Sequence, residues 1–303
     1  MGTTWSIQLF ARGHQPASRI QSDVAELLER IEGQMSHYRR DSDLGRFNAS
    51  RGGRWVSIPL EMFQVLNASV DVALESGGAF DPTLGRLVSI WGFGPGAPAG
   101  SPPGEQEILE GLFNCGWSRL LLDRRRRRVW QPGGIQLNLS SIAKGYAVDQ
   151  TAKLLDRLGI ENYLVEFGGE LRSRGVKLNG QPWWIAIEQP PGSTGFPEVV
   201  LALCGQSVAT SGDYRRCFTH NGAIYSHTID PRTGKPASGS LASVTVIHED
   251  CIFADAYSTA LLVMGPSEGR AFAEDRGLAA FFVHRSPDGF EHFCSPGFQT
   301  MLD

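Results

Sequence analysis

The chain has 303 residues, 41% apolar and 20% charged, with 28 basic against 32 acidic side chains and a formal net charge of −4. That length leaves room for one large domain or two packed lobes; the composition excludes a disordered chain, and the charge balance excludes a general polyanion binder, so no nucleic-acid partner is expected. No stretch reaches the ~18 apolar residues of a membrane span, and the five scattered cysteines (Cys115, Cys204, Cys217, Cys251, Cys294) lack a C-x-x-C pair, which argues against a disulfide framework or zinc site and reads them as buried apolar fillers.

Glycine (36) and proline (17) punctuate the chain densely enough to exclude an all-helical bundle. Alternation of Trp5, Ile7 and Leu9 predicts an opening strand; Ile20, Val24, Leu27, Leu28 and Ile31 predict a helix, and Met62, Leu66, Val70 and Ala73, introduced by Pro59, a second. A loop from Gly92 to Gly104 leads to a short helix over Glu105 to Phe113. Three apolar runs follow, Leu120–Leu122, Val129–Trp130 and Ile135–Leu139, and read as a β-meander. Arg124 to Arg128 fall between two of these runs and, without interleaved aromatics, read as a solvated hairpin tip. Beyond Ser141, Val148, Ala152, Leu155 and Leu158 share a helical face that Gly159 ends. Strands are predicted at Tyr163–Phe167, Trp183–Ile187, Val199–Leu203, Ile224–Ile229 and Leu241–Ile247, with a helix near Ala254–Val263 and a closing helix and strand from Glu268 to His284. Mixed blocks without regular βαβ alternation indicate an α+β architecture. The shape D-P-x-x-G occurs at Asp81–Gly85 and Asp230–Gly234, by duplication or by coincidence.

The chain has no phosphate loop, no H-E-x-x-H and no G-x-S-x-G elbow. Gly92 to Ala97 fits G-x-G-x-x-A but follows a helical run and starts no helix, so it fails as a dinucleotide fingerprint. Three places remain. At Asn138 to Asp149 a strand ends in small polar residues and a helix begins, which is either an anion seat at the helix start or a helix capped by Ser140 or Ser141. Asp255 and Thr259 stand one helical turn apart, giving either hard oxygen donors for Mg2+ or a capping Asp with a back-bonding Thr. His227, on a strand entering the Asp230-Pro231 turn, is either a proton acceptor for a hydroxyl nucleophile or a structural histidine. The other histidines, His14, His37, His220, His248, His284 and His292, read as structural.

Taken together, these residues resemble the ApbE-type flavin transferases, which move FMN from FAD to a protein threonine or serine and release AMP. The likeness rests on nine pieces in order. They are Met1–Trp5; Met35–Tyr38 with Asp41–Asn48; Gly78–Gly85; Leu87–Pro95; Ile142–Asp149; Gly168–Glu170; Ala209–Tyr214; His227 with Asp230–Gly234; and Ala254–Ala256 with Thr259–Ala260. The resemblance implies one catalytic domain over residues 1–303, a two-lobed, T-fold-like α+β unit with the flavin in the cleft between lobes. It implies Mg2+ held by Asp255, Thr259 and the Ser141 carbonyl with Ser258 close by, FAD contacts at Met1, Tyr38, Ala79, Phe80, Asp81, Asn138, Lys144 and Ile229, and His227 as proton acceptor. Tyr38 and Phe80 suit a wall for the flavin ring. The expected partners are FAD and an acceptor protein carrying the modified Thr or Ser. Two other uses of the same site are an FAD pyrophosphatase giving FMN and AMP, and a flavin-storage protein without turnover.

The sequence departs from the family pattern in two ways. Where relatives commonly carry Asp-x-Gly-Gly, this chain has Asn138-Leu139-Ser140-Ser141; a main-chain carbonyl at Ser141 still serves a metal, while Asn138 keeps hydrogen-bonding capacity and loses a charge. No signal peptide or lipobox cysteine precedes Met1, so a cytoplasmic location is expected for the sequence as it stands, and a periplasmic one if it was trimmed at a motif methionine.

Overall fold

The structure is a computed structural model describing residues 3–10, 16–96, 100–193, 198–237 and 239–301. Its helices are α1 (Ala17–Met35), α2 (Asp43–Asn48), α3 (Leu60–Glu75), α4 (Gly85–Ile90), α5 (Glu105–Phe113), α6 (Ala143–Arg157), α7 (Cys251–Asp275) and α8 (Pro296–Gln299). Its strands are β1 (Trp5–Phe10), β2 (Arg54–Ser57), β3 (Leu122–Asp123), β4 (Arg128–Gln131), β5 (Asn162–Phe167), β6 (Glu170–Arg174), β7 (Trp183–Ala186), β8 (Val200–Leu203), β9 (Ser207–Gly212), β10 (Cys217–His220), β11 (Ala223–Ser226), β12 (Ile229–Asp230), β13 (Lys235–Pro236), β14 (Leu241–His248), β15 (Ala279–Ser286) and β16 (Gly289–Cys294). The α+β expectation holds. The chain divides into two compact units, one of residues 1–30, 142–212 and 240–303, the other of residues 31–141 and 213–239.

In the first unit a seven-stranded antiparallel sheet runs in the order β1-β5-β6-β9-β14-β15-β16. Period-two alternation gives it two apolar faces. On β5, Tyr163, Val165 and Phe167 join Ile20 and Val24 of α1 and Val148, Ala152 and Leu155 of α6. Leu164 points the other way, into a cluster with Trp183, Leu201 and Leu203 of the β7–β8 hairpin, Phe281 and Val283 of β15, and Phe298 of α8.

The α6 and α7 starts cap each other. Asp255, one turn into α7, accepts from Gly145 N at 3.0 Å, and Asp149 of α6 accepts from Cys251 N and Ile252 N, both at 3.0 Å. Each carboxylate satisfies helix N-terminal donors that have no intrahelical partner and meets the positive end of the helix dipole. The helices come this close because residue 145 is glycine: a Cβ there would lie 2.6 Å from the Cys251 carbonyl carbon and 2.9 Å from Asp255 Cβ. α7 breaks at Gly265 (φ 80°), followed by Pro266, so the two helices predicted from Ala254 and Glu268 are the two halves of this element.

In the second unit β2, β4 and β3 form a small antiparallel sheet, and Leu87, Trp91, Phe93, Ile108 and Ile229 form a core cluster. Two predicted strands are corrected here. Ile135–Leu139 is no strand of the meander, and β2 takes its place in the sheet. The backbone of that run is satisfied by Asn48, whose Oδ1 accepts from Leu137 N (2.7 Å) and whose Nδ2 donates to Leu137 O (2.9 Å), and by Gly85 N donating to Gln136 O (2.9 Å). The single strand expected over Ile224–Ile229 is two: β11 pairs with β10, His227 N still bonding Arg216 O at 2.9 Å in the same register, and beyond Thr228 the chain changes partner, with Ile229 and Asp230 pairing to β13. The arginine run does form the β3–β4 hairpin tip, with Arg127 in the left-handed region (φ 50°) and Arg128 paired to Asp123 at 2.7 Å. The two D-P-x-x-G turns share an Asx turn, from Asp81 to Thr83 N and from Asp230 to Arg232 N, and differ at the glycine: Gly85 opens a helix, whereas Gly234 has φ 69°. Of the cysteines only Cys251 is buried; Cys204 and Cys217 are exposed, against the expectation of five apolar fillers. Among the described residues, no helix is long and apolar enough to cross a membrane.

Candidate functional site

The first unit gathers polar groups where α6 begins. Neither Ser140 nor Ser141 caps α6: its N-cap residue is Ile142, with no side-chain hydrogen bond, and the capping role falls to Asp255. Ser140 Oγ instead meets His37 Nδ1 at 3.0 Å within the second unit. Lys144, in the first turn of α6, forms an ion pair with Glu170 at the start of β6. Glu170 is 2% exposed, and its second carboxylate oxygen is buried without a hydrogen-bond partner. Burial pushes both the Glu170 and Asp255 carboxyls above the usual carboxylate range, and the Lys144 charge pulls each back.

On α7, Ser258 Oγ donates to the Asp255 carbonyl at 2.9 Å and Thr259 Oγ1 lies 3.3 Å from the same carbonyl. Thr259 Oγ1 is thus within reach of the carbonyl one turn back, at the longest of these contacts, while Asp255 caps α6 and not its own helix. Ser211 of β9 reaches both hydroxyls, at 2.8 and 3.0 Å.

The donor set suits a small, hard cation. Asp255, Ser258 and Thr259 offer oxygen alone, the buried Glu170 carboxylate is close enough for its charge to be felt by Asp255, and no group of three or more His, Cys, Asp or Glu able to hold a metal occurs among the described residues. Magnesium accepts such a sparse set because it fills its octahedron with water and substrate phosphate oxygens.

In the second unit, His227 N and Nδ1 both face the Arg216 carbonyl, at 2.9 and 3.2 Å. A carbonyl only accepts, so in the neutral ring Nδ1 carries the proton and Nε2 keeps the lone pair. The ring stands edge-on to Phe93, 6.2 Å between centroids. Tyr38 is 47% exposed and its hydroxyl donates to Phe93 O at 3.2 Å.

The remaining residues expected to touch FAD fall into different settings. Ala79 and Phe80 are each 2% exposed, so Phe80 is a core side chain with no ring face to offer as the expected aromatic wall, whereas the Tyr38 ring is exposed. The Asp81 carboxylate is engaged locally, accepting from Thr83 N and Oγ1 at 2.7 and 2.6 Å and from Trp117 N at 3.0 Å. Asn138 Oδ1 accepts from Ser140 N at 2.9 Å, a bond an Asp would make equally, so the departure from the family pattern leaves the turn intact. Ile229 is 3% exposed within the apolar cluster of its unit. Met1 and His14 lie outside the described residues. Sequence reasoning missed Asp149, Glu170, Ser211 and His37 as parts of these networks. All four lie inside the family motifs, but the partners that give them a role are remote in the chain.

Comparison with known proteins gives one answer. The ApbE family model matches residues 1–282. An FAD:protein FMN transferase of Vibrio cholerae is 36% identical over 303 residues, covering 100% of this chain and 90% of the relative; one of Salmonella typhimurium is 33% identical over 305 residues, covering 100% and 87%. The crystal structure of the flavinyl transferase ApbE of Pseudomonas stutzeri, an apo form, superposes with a TM-score of 0.92 at 39% identity, covering 99% of this chain and 94% of that one. With its fold, its motifs and its relatives in agreement over nearly its whole length, this chain belongs to the ApbE family.

Proposed function

We propose that this transferase moves FMN from FAD to a threonine or serine hydroxyl of an acceptor protein and releases AMP, with Mg2+ as its cofactor. The observation that supports this most is the oxygen-rich cluster at the start of α6, where Asp255, the Ser258 and Thr259 hydroxyls and the Lys144–Glu170 pair converge. Asp255, Thr259 and the Ser141 carbonyl would hold the cation, with Ser258 beside them. When bound, Mg2+ neutralises diphosphate charge and makes AMP a better leaving group.

The chain's own groups carry the other parts. The α6 start directs its dipole at a bound diphosphate, and Lys144 adds a cationic side chain there. Tyr38, Asn138 and Ile229 would position the nucleotide, together with the backbone of Ala79, Phe80 and Asp81. His227 Nε2 takes the proton of the acceptor hydroxyl as its oxygen bonds to the FMN phosphorus and the P–O bond to AMP breaks. Storage without turnover would need no such base, and the bond from His227 Nδ1 to the Arg216 carbonyl is what leaves Nε2 basic.

The test is incubation with FAD, Mg2+ and a peptide bearing an acceptor threonine. Flavin that stays on the denatured peptide, with stoichiometric AMP, supports transfer. Free FMN with an unmodified peptide would replace transfer by hydrolysis, and intact FAD would leave storage.

A further inference from the structure

Three hydroxyls from two elements of the first unit form a connected cluster with one main-chain carbonyl. Ser211 Oγ lies 2.8 Å from Ser258 Oγ and 3.0 Å from Thr259 Oγ1, while Ser258 Oγ and Thr259 Oγ1 lie 2.9 and 3.3 Å from the Asp255 carbonyl. These four contacts form a closed ring, but three hydroxyls have only three protons. The carbonyl accepts only, so the protons must run toward it.

Two continuous chains are available, besides a branched arrangement in which Ser258 and Thr259 both donate to the carbonyl and which, like the second chain, places a proton on the longest contact. In one, Thr259 donates to Ser211, Ser211 to Ser258, and Ser258 to the Asp255 carbonyl; this uses the three shorter contacts and leaves the 3.3 Å contact without a proton. The reverse chain would place a proton on the longest contact and leave the 2.9 Å contact empty. Hydrogen bonds between oxygens weaken well before 3.3 Å, so the first direction is favoured. It has a chemical consequence: the Thr259 proton goes to Ser211, and both Thr259 lone pairs stay open. A hydroxyl oxygen that binds a cation becomes a stronger proton donor and needs an acceptor beyond it, as ligating groups generally do. Ser258, by contrast, accepts from Ser211 and donates to the carbonyl.

We propose that Ser211 is a positioning residue for the metal site: it accepts the Thr259 proton and so presents the Thr259 oxygen, in preference to that of Ser258, to a divalent cation. This rests on the reading of Asp255 and Thr259 as metal ligands. Its placement suits the role, because Ser211 lies on β9, paired to Val244 of β14, rather than on a loop, while its neighbour Thr210 faces the other side of the sheet and bonds Thr245 at 2.8 Å.

The experiment is titration with Mn2+ alone, read by the loss of the free-ion electron paramagnetic resonance signal, on wild type, Ser211→Ala, Ser211→Thr, Ser258→Ala and Asp255→Asn, each with its melting temperature. Ser211→Ala should weaken Mn2+ binding by about 10-fold, the lower end for removing an outer-shell partner of a ligand. Ser211→Thr, which keeps the hydroxyl, should bind within about threefold of wild type, and Ser258→Ala should weaken binding less than Ser211→Ala does. Ser211→Ala binding like wild type while Asp255→Asn does not would overturn the role of Ser211 alone. Asp255→Asn binding like wild type would overturn the metal reading beneath it. A lower melting temperature in Ser211→Ala with unchanged Mn2+ affinity would likewise overturn the proposal and leave Ser211 a purely structural hydroxyl.

Discussion

Replacing Gly145 by alanine tests the packing on which the site depends. A Cβ at this position would overlap the Cys251 carbonyl oxygen and sit 2.6 Å from its carbon and 2.9 Å from Asp255 Cβ, where ordinary contacts begin at 3.4 Å. Its nearest neighbours are backbone, so no side chain can rotate away; α6 and α7 must part, and the Gly145 N to Asp255 bond of 3.0 Å must stretch. Alanine gains about 1 kcal/mol of helix propensity over glycine. Against this stand roughly 1–3 kcal/mol for overpacking and about 1.5–3 kcal/mol for losing a hydrogen bond to a charged group. The net expectation is a loss of about 1.5–5 kcal/mol, read as a lower urea midpoint with unchanged slope. Gly33→Ala on α1 is the control: nothing lies within 4 Å of its Cβ, and it should gain up to about 1 kcal/mol. Equal or greater stability for Gly145→Ala would refute the close approach of these helices.

Asp255→Ala should abolish AMP release from FAD, because it removes both the proposed metal ligand and the cap on α6; AMP release at the wild-type rate would contradict both roles. His227→Ala should slow FMN transfer by about 10²–10⁴-fold, the usual effect of losing a general base, with FAD affinity nearly intact; parallel losses in affinity and rate would make His227 a binding residue instead. Burial, reinforced by the Arg216 charge, lowers the His37 imidazole from 6.5 to about 4. The unfolded chain then takes up a proton that the fold does not. The stability linked to His37 is complete above pH 6.5 and falls as pH drops toward about 4. In His37→Asn that part of the decline should vanish from urea midpoints measured across this window, and superimposable wild-type and variant profiles would count against it.

Local pattern made the amphipathic elements legible. α1, α3, α5 and α6 carry their apolar residues at helical spacing, and β1, β5, β7, β8 and β14 read as apolar runs or alternation. β6 (ELRSR) and β9 (SVATSG) were not legible because they hold polar side chains in a buried sheet, where partners from elsewhere satisfy them: Arg172 meets Asp149 at 2.5 Å and Ser211 meets Ser258 and Thr259. Ile135–Leu139 misled for the opposite reason, since it alternates like a strand while Asn48 supplies the bonds that a neighbouring strand would. Of the proposed functional residues, Asp255, Thr259 and His227 could be singled out by type and spacing. Their settings could not, because the Asp255 bond to Gly145 spans 110 residues and the Ser211 bond to Thr259 spans 48. Phe80 shows the limit of residue type alone: an aromatic in a binding motif is here a core side chain.

The most direct test is a crystal of the protein grown with FAD and Mn2+, with data collected at the manganese absorption edge. The account predicts a single anomalous peak bound by the Asp255 carboxylate and the Thr259 hydroxyl, with the FAD diphosphate beside it at the start of α6. A manganese peak on other residues, or a diphosphate seated away from α6, would contradict it.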